Sequence, residues 1–187
     1  MIDAVYDACV LYSASLRDLL LDIARMRLVR PHWSDRIHEE WMESLLRNRP
    51  DLSRESLERT RRRMDAQFKD SLTKGYEPLI PTLELPDAND RHVLAVAIYS
   101  QSSLIVTTNM GDFPKTVLQP YHIEAVLPDD FVWRLIQKEP VRILEAAKNH
   151  RSDLTRPPKT ADEYLATLEK QGLFKTVVFL REHKAEI

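Results

Sequence analysis

The chain has 187 residues, enough for one compact domain, or one domain with a helical appendage, and too few for two full-sized ones. Hydrophobic residues make up 43% and charged residues 30%, which sets aside disordered, collagen-like and fibrous classes. Lys+Arg 27 against Asp+Glu 29 gives a net charge of −2, too little positive charge to hold nucleic acid by bulk attraction. Only Gly75, Gly111 and Gly172 occur, so neither a GxGxxG dinucleotide turn nor a GxxxxGK[ST] phosphate loop can be written. Cys9, the single cysteine, excludes an intrachain disulfide and suits a reducing compartment. The opening MIDAVYDACVLYSASLRD has no basic stretch and carries Asp3 and Asp7 where a leader or membrane segment is apolar, so a cytoplasmic protein with no membrane contact is expected.

Ile2 to Tyr6 reads as a short buried strand ending at Asp7. Leu16, Leu19, Leu20 and Ile23 follow at helical spacing behind Ser13 and Ser15, either of which suits a cap. Ser34 opens a second helix with the stripe Ile37, Trp41 and Leu45. A third, from Arg54 to about Phe68, has only Leu57, Met64 and Phe68 on its apolar side and is expected to be mostly solvated. Pro78, Pro81 and Pro86 bracket Thr82 to Leu85, read as a short strand, and Asp90 to Gln101 is apolar nearly all round, a buried helix. Ser103 to Thr107 has the continuous β-branched character of a central parallel strand, and His122 to Val126 is the last strand candidate. From Pro128 the strands stop. Helices are expected over Phe131 to Lys138, Val141 to about Asn149, Thr160 to Lys170 and Leu173 to His183, broken at Pro140 and at Arg156-Pro-Pro158. Thr160 and Glu163 form a capping box, and Leu173, Phe174, Val177 and Val178 make an apolar face that needs a partner on the α/β body or another chain. The alternation predicts an α/β fold with a short parallel sheet flanked by helices, as residues 1–130, and a helical C-terminal extension, residues 131–187.

Ligands of open parallel sheets sit beyond the carboxyl ends of the strands. Asp7, Asp90 and Asp112 each follow a predicted strand, and at 100° per residue Glu40 flanks the Ile37/Trp41/Leu45 stripe while Glu39 points away. Carboxylates gathered there repel one another unless protonated or neutralised by a divalent cation. Oxygen donors favour Mg²⁺ or Mn²⁺, and the six histidines form no i,i+4 pair for zinc. Such a site suits phosphodiester hydrolysis. Singly, each acid has a plainer role: Asp7 or Asp112 in a turn, Asp87 or Asp90 as a helix cap, Glu40 as a solvated charge. Jointly those roles require four coincidences at one sheet edge.

The stretches AVYDACVLY, WSDRIHEEWMESLL and PDANDRHVLAVAIYSQSSLIVTTNMGDFP resemble the PIN-domain family of metal-dependent nucleases, within it the VapC-like bacterial toxin branch, over about residues 1 to 127. The resemblance implies a PIN-like three-layer domain with Asp7, Glu40, Asp90 and Asp112 as its acidic Mg²⁺ or Mn²⁺ site. Thr107 and Asn109 take the family's Thr-x-Asn positions, able to hold water or a substrate phosphate. It also implies cleavage of single-stranded RNA to 5′-phosphate and 3′-hydroxyl ends, homodimerisation, and an antitoxin that blocks the site. Asp87 is an extra acid, auxiliary at the metal or a helix cap, with the cap the simpler role. The third helix carries Arg54, Arg59, Arg61, Arg62 and Arg63; Arg61 and Arg62 are candidate RNA contacts, against pairing of these arginines with Glu55, Glu58 and Asp65 on a solvated face. Trp33 and Trp41 are candidates for base stacking or for the core. Two other readings share the fold: a nuclease of RNA processing or structured DNA, and a catalytically silent binding module.

Overall fold

In the computed structural model, which describes residues 1–155 and 157–187, the apolar opening run is a strand, and eighteen short elements follow the chain. In order they are β1 (Ile2–Tyr6), α1 (Ala8–Tyr12), α2 (Ala14–Arg25), β2 (Val29–His32), α3 (Asp35–Asn48), α4 (Arg54–Gln67), α5 (Arg91–Tyr99), β3 (Leu104–Val106), α6 (Lys115–Leu118) and β4 (Glu124–Val126). The helices α7 (Pro128–Ile136), α8 (Pro140–Asp153), α9 (Ala161–Glu169) and α10 (Phe174–Glu182) complete it, with 3₁₀ turns at Glu77–Thr82, Ala88–Asp90, Met110–Asp112 and Gln119–Tyr121. Two units form, one of residues 2–12 and 30–126, the other of residues 13–29 and 127–187 with Met1. Among the described residues no helix is long and apolar enough to cross a membrane.

The first unit is α/β. Its sheet has the order β2-β1-β3-β4, with β1 and β4 each pairing in parallel with β3. Val5, Tyr6, Ile105 and Val106 have no exposed surface, as their unbroken apolar runs require of strands covered on both faces. Helix α5 packs on β1 and β3, and its residues His92 to Ala97 are all buried. Ser34 caps α3 by accepting the Ile37 N–H at 3.2 Å, and Ile37, Trp41 and Leu45 face inward. Ser53 caps α4 in the same way through the Ser56 N–H. Only Leu57 and Met64 of α4 are buried, the narrow stripe its sequence predicts.

Three details depart from expectation. Thr82 to Leu85 is not a strand: Pro78 and Pro81 lie in the 3₁₀ turn Glu77–Thr82, and Leu83 is buried without a ladder. Val29–His32 occupies the sheet edge instead, where Pro31 is tolerated because an outer strand leaves N–H positions unpaired. Helix α1, absent from the sequence reading, starts because the Asp7 carbonyl accepts the N–H groups of Val10 and Leu11.

The second unit is helical. Helix α2 packs on α8 and α9, and α10 packs on α7 and α9. Thr160 and Glu163 close the predicted capping box at the start of α9. Asp129 of α7 caps α10, accepting the N–H groups of Lys175 at 2.8 Å and Thr176 at 3.0 Å. Leu173 and Val177 are buried, so half of the predicted apolar face is satisfied within these helices, while Phe174 and Val178 are exposed. Arg156, in the predicted proline break, lies outside the described residues.

Candidate active site

Strand register sets the first two side chains. Tyr6 lies opposite Val106, so Asp7 and Thr107 emerge side by side at the carboxyl ends of β1 and β3. Fully buried Thr107 donates its hydroxyl to Asp7 Oδ2 at 2.7 Å. The Ala8 N–H donates to Asp7 Oδ1 at 2.7 Å, and the Cys9 thiol to Oδ2 at 3.2 Å. Burial, and after it the Asp7 charge, pushes the Cys9 thiol up to about 11, so it stays a protonated donor at neutral pH. The Asn109 N–H in turn donates to Thr107 Oγ1 at 3.0 Å, tying the Thr-x-Asn turn to Asp7.

The PDAND segment divides the labour between its acids. Asp87 accepts the Asn89 N–H at 2.8 Å and caps the 3₁₀ turn. Asp90 stands at the N-cap position of α5 and its side chain makes no capping bond. Its carboxylate faces a cavity of about 410 Å³ that Asp7, Cys9, Glu40, Trp41 and Asn109 also line. Asp112 does not line this cavity. Its charge nevertheless bears on Asp90, whose carboxyl is pushed up to about 7 by burial first, then by Asp7, Asp112, Asp87 and Glu40. Four acids dispersed along the sequence thus act on one proton.

Glu40 is approached by two cations or donors. Arg36 reaches Oε1 with Nε at 3.3 Å and also donates to the Asn89 carbonyl at 3.1 Å, linking α3 to the turn that carries Asp90. His92 Nε2 lies 2.8 Å from the same Oε1. Sequence reasoning missed His92 and Arg36; the local signals were a histidine two residues after Asp90 in a largely apolar helix and an arginine four residues before Glu40 on the same helix. Glu39 points away from the cavity and pairs with Arg54.

Among the described residues, no three His, Cys, Asp or Glu side chains are grouped closely enough to hold a metal ion as they stand. In chemical kind the donors fit a hard divalent cation: carboxylate oxygens, an amide and a hydroxyl, with mutual repulsion that raises Asp90. A larger cavity, about 760 Å³, opens along β3 and β4 between Leu104, Phe113, Lys115, Leu118 and Ile123, and none of the four acids lines it.

The predicted accessory residues separate by environment. Arg61 pairs with Asp35 and, at 3.8 Å, with Asp65, which accounts for its guanidinium as a brace between α3 and α4. Arg62 and Arg63 are exposed and have no ion-pair partner among the described residues. Trp33 and Trp41 are fully buried. Trp33 donates to Asp65 Oδ1 at 2.9 Å, and Trp41 donates to His38 Nδ1 at 3.0 Å. His38 Nδ1 therefore accepts, and its Nε2–H points to Asp65 Oδ1 at 3.1 Å. Burial lowers the His38 pKa, against the opposing Asp65 charge, so the ring is neutral.

A family model described as PIN domain matches residues 3–111, and one described as VapC50 C-terminal domain matches residues 128–182. The chain is similar to the "Putative ribonuclease VapC50" of Mycobacterium tuberculosis (strain ATCC 25618 / H37Rv), 47% identical over 58 residues. That match covers 31% of this chain and 34% of the relative's length. No solved structure matches. With a PIN-domain match over more than half its length, this chain belongs to the PIN-domain family, on its VapC-like branch.

Proposed function

We propose that this chain is a Mg²⁺- or Mn²⁺-dependent endoribonuclease, the toxin of a type II toxin–antitoxin pair, working in the cytoplasm as a homodimer that a small antitoxin inhibits. Family membership and the name of the VapC50 relative support the ribonuclease and toxin assignments. The observation that carries the chemistry is the pocket of Asp7, Glu40 and Asp90, in which the charges of Asp7, Asp112, Asp87 and Glu40 act together on the Asp90 carboxyl. We assign residues 1–130 to the nuclease domain and 131–187 to an accessory helical extension.

Asp7, Glu40 and Asp90, which line the cavity, would hold the cation, and Asp112, whose charge reaches Asp90 from outside that lining, would complete the set. When bound, such an ion neutralises the acids, acidifies a water and offsets charge on a phosphodiester. Thr107 and the Cys9 thiol keep the Asp7 carboxylate fixed in orientation, so its oxygens lose little freedom on binding. The Asn109 side chain, at the cavity wall, is a neutral donor suited to a phosphate oxygen. Exposed Arg62 and Arg63 supply local positive charge on a chain that has none in excess. Asp87, spent as a cap, contributes charge to the pocket and no bond to an ion.

Purified protein with Mn²⁺ and a labelled single-stranded RNA tests the proposal. Cleavage to 5′-phosphate ends, abolished by Asp7→Asn and by excess chelator, is expected. Equal cleavage under either treatment removes the assignment, and cleavage confined to transfer RNA or flapped DNA replaces the substrate.

A further inference from the structure

His92 is fully buried on a helix turn whose neighbours Val93 to Ala97 are apolar, a place where a leucine would pack as well. Neither ring nitrogen has a hydrogen bond of ordinary geometry, and a buried polar group left so opposes folding. The Glu40 carboxylate lies close to it, with Nε2 2.8 Å from Oε1. Two lone pairs repel at that separation, and a proton on Nε2 turned onto Oε1 by a small ring rotation relieves the contact. Arg36, on the same helix as Glu40, reaches the same oxygen at 3.3 Å with a half-exposed side chain, and so pulls it toward the surface. His92 is the interior counterweight, and it stands two residues from Asp90, so one short segment delivers one carboxylate and restrains another.

We propose that His92 is a positioning residue for Glu40: an Nε2–H turned onto Oε1, 2.8 Å away, restrains the carboxylate on the cavity side, in register with Asp7 and Asp90. The role rests on the metal-site reading above for its consequence, and on the Glu40 contact alone for its existence. Partners of this kind typically change metal affinity 10–100-fold when removed.

The test uses the full chain and Mn²⁺ as the probe. His92→Leu is expected to weaken Mn²⁺ binding about tenfold by calorimetry, with the metal-free melting temperature little changed. His92→Gln, which keeps a donor, restores binding to within about threefold. In a Glu40→Ala background His92→Leu adds no further loss, because the histidine acts only through that carboxylate. A second readout needs neither metal nor a His92 variant. The imidazole ¹⁵N–¹H correlation of wild type shows His92 protonated at Nε2, and Glu40→Ala moves that resonance. Wild-type binding unchanged by His92→Leu, an equal loss in the Glu40→Ala background, or a His92 resonance indifferent to Glu40→Ala overturns the inference. If wild type does not bind Mn²⁺ while the resonance still responds to Glu40→Ala, the metal reading falls and the positioning contact stands.

Discussion

Replacing Asp90 by asparagine should make the metal-free protein more stable and the metal-bound site useless. The Asp90 carboxyl, ordinarily 3.8, is raised to about 7 by burial and by the charges of Asp7, Asp112, Asp87 and Glu40. That interval corresponds to about 4 kcal/mol at 1.4 kcal/mol per pH unit, and partial exposure to water screens it to about 2 kcal/mol. The sign follows from which state binds the proton. The unfolded chain releases it near 3.8 and the folded protein only near 7, so the penalty is absent in acid, grows between those values and is complete above the upper one. Urea unfolding in excess chelator should show Asp90→Asn more stable than wild type by about 2 kcal/mol at pH 8, and by under about 1 kcal/mol at pH 4.5. Adding Mn²⁺ at 100 times its dissociation constant should stabilise wild type by about 2.7 kcal/mol and the variant hardly at all, so the order of stabilities inverts. A variant less stable than wild type at pH 8, or a gain independent of pH, would refute the convergence of acids on Asp90.

Asp65→Ala leaves the Trp33 and His38 donors without an acceptor, so it should destabilise by about 3 kcal/mol in urea unfolding followed by tryptophan fluorescence, while Asp65→Asn loses under about 1. Cys9 should resist alkylation in the native protein at pH 7.5 and react fully once unfolded, because its thiol is held up to about 11; mass spectrometry reads the difference. Arg62→Ala and Arg63→Ala should each lower the slope of RNA affinity against log salt by about 0.7 with unchanged stability. Arg61→Ala should lower stability by roughly 1 kcal/mol through the lost Asp35 and Asp65 pairs and leave that slope alone.

The parts of this fold that show in the sequence are those where burial is nearly complete. Strand β3 appears as an unbroken apolar run, and β1, apart from Asp3, and the Val93 to Ile98 stretch of α5 read the same way because little water reaches them; Glu40 separates from Glu39 because the Ile37/Trp41/Leu45 stripe fixes which way α3 faces. The edge of the sheet is different. In β2, Arg30, Pro31 and His32 break the apolar pattern although only Arg30 is exposed, whereas Leu83 and Leu85 mimic a strand's alternation just past a proline-braced turn. Helix α1 is too short for a period to show. The acids were legible as strand-end residues. Two of their holders, Thr107 on Asp7 and His92 beside Glu40, depend on contacts between segments about 50 to 100 residues apart, which no local pattern encodes, while Cys9 reaches Asp7 from two residues away.

Diffraction at the manganese absorption edge, from crystals grown with Mn²⁺, addresses the proposed centre most directly. An anomalous peak in the cavity that Asp7, Glu40 and Asp90 line, absent in Asp90→Asn crystals, is the predicted result. Density without a peak in that cavity, or a peak seated elsewhere on the chain, would contradict it.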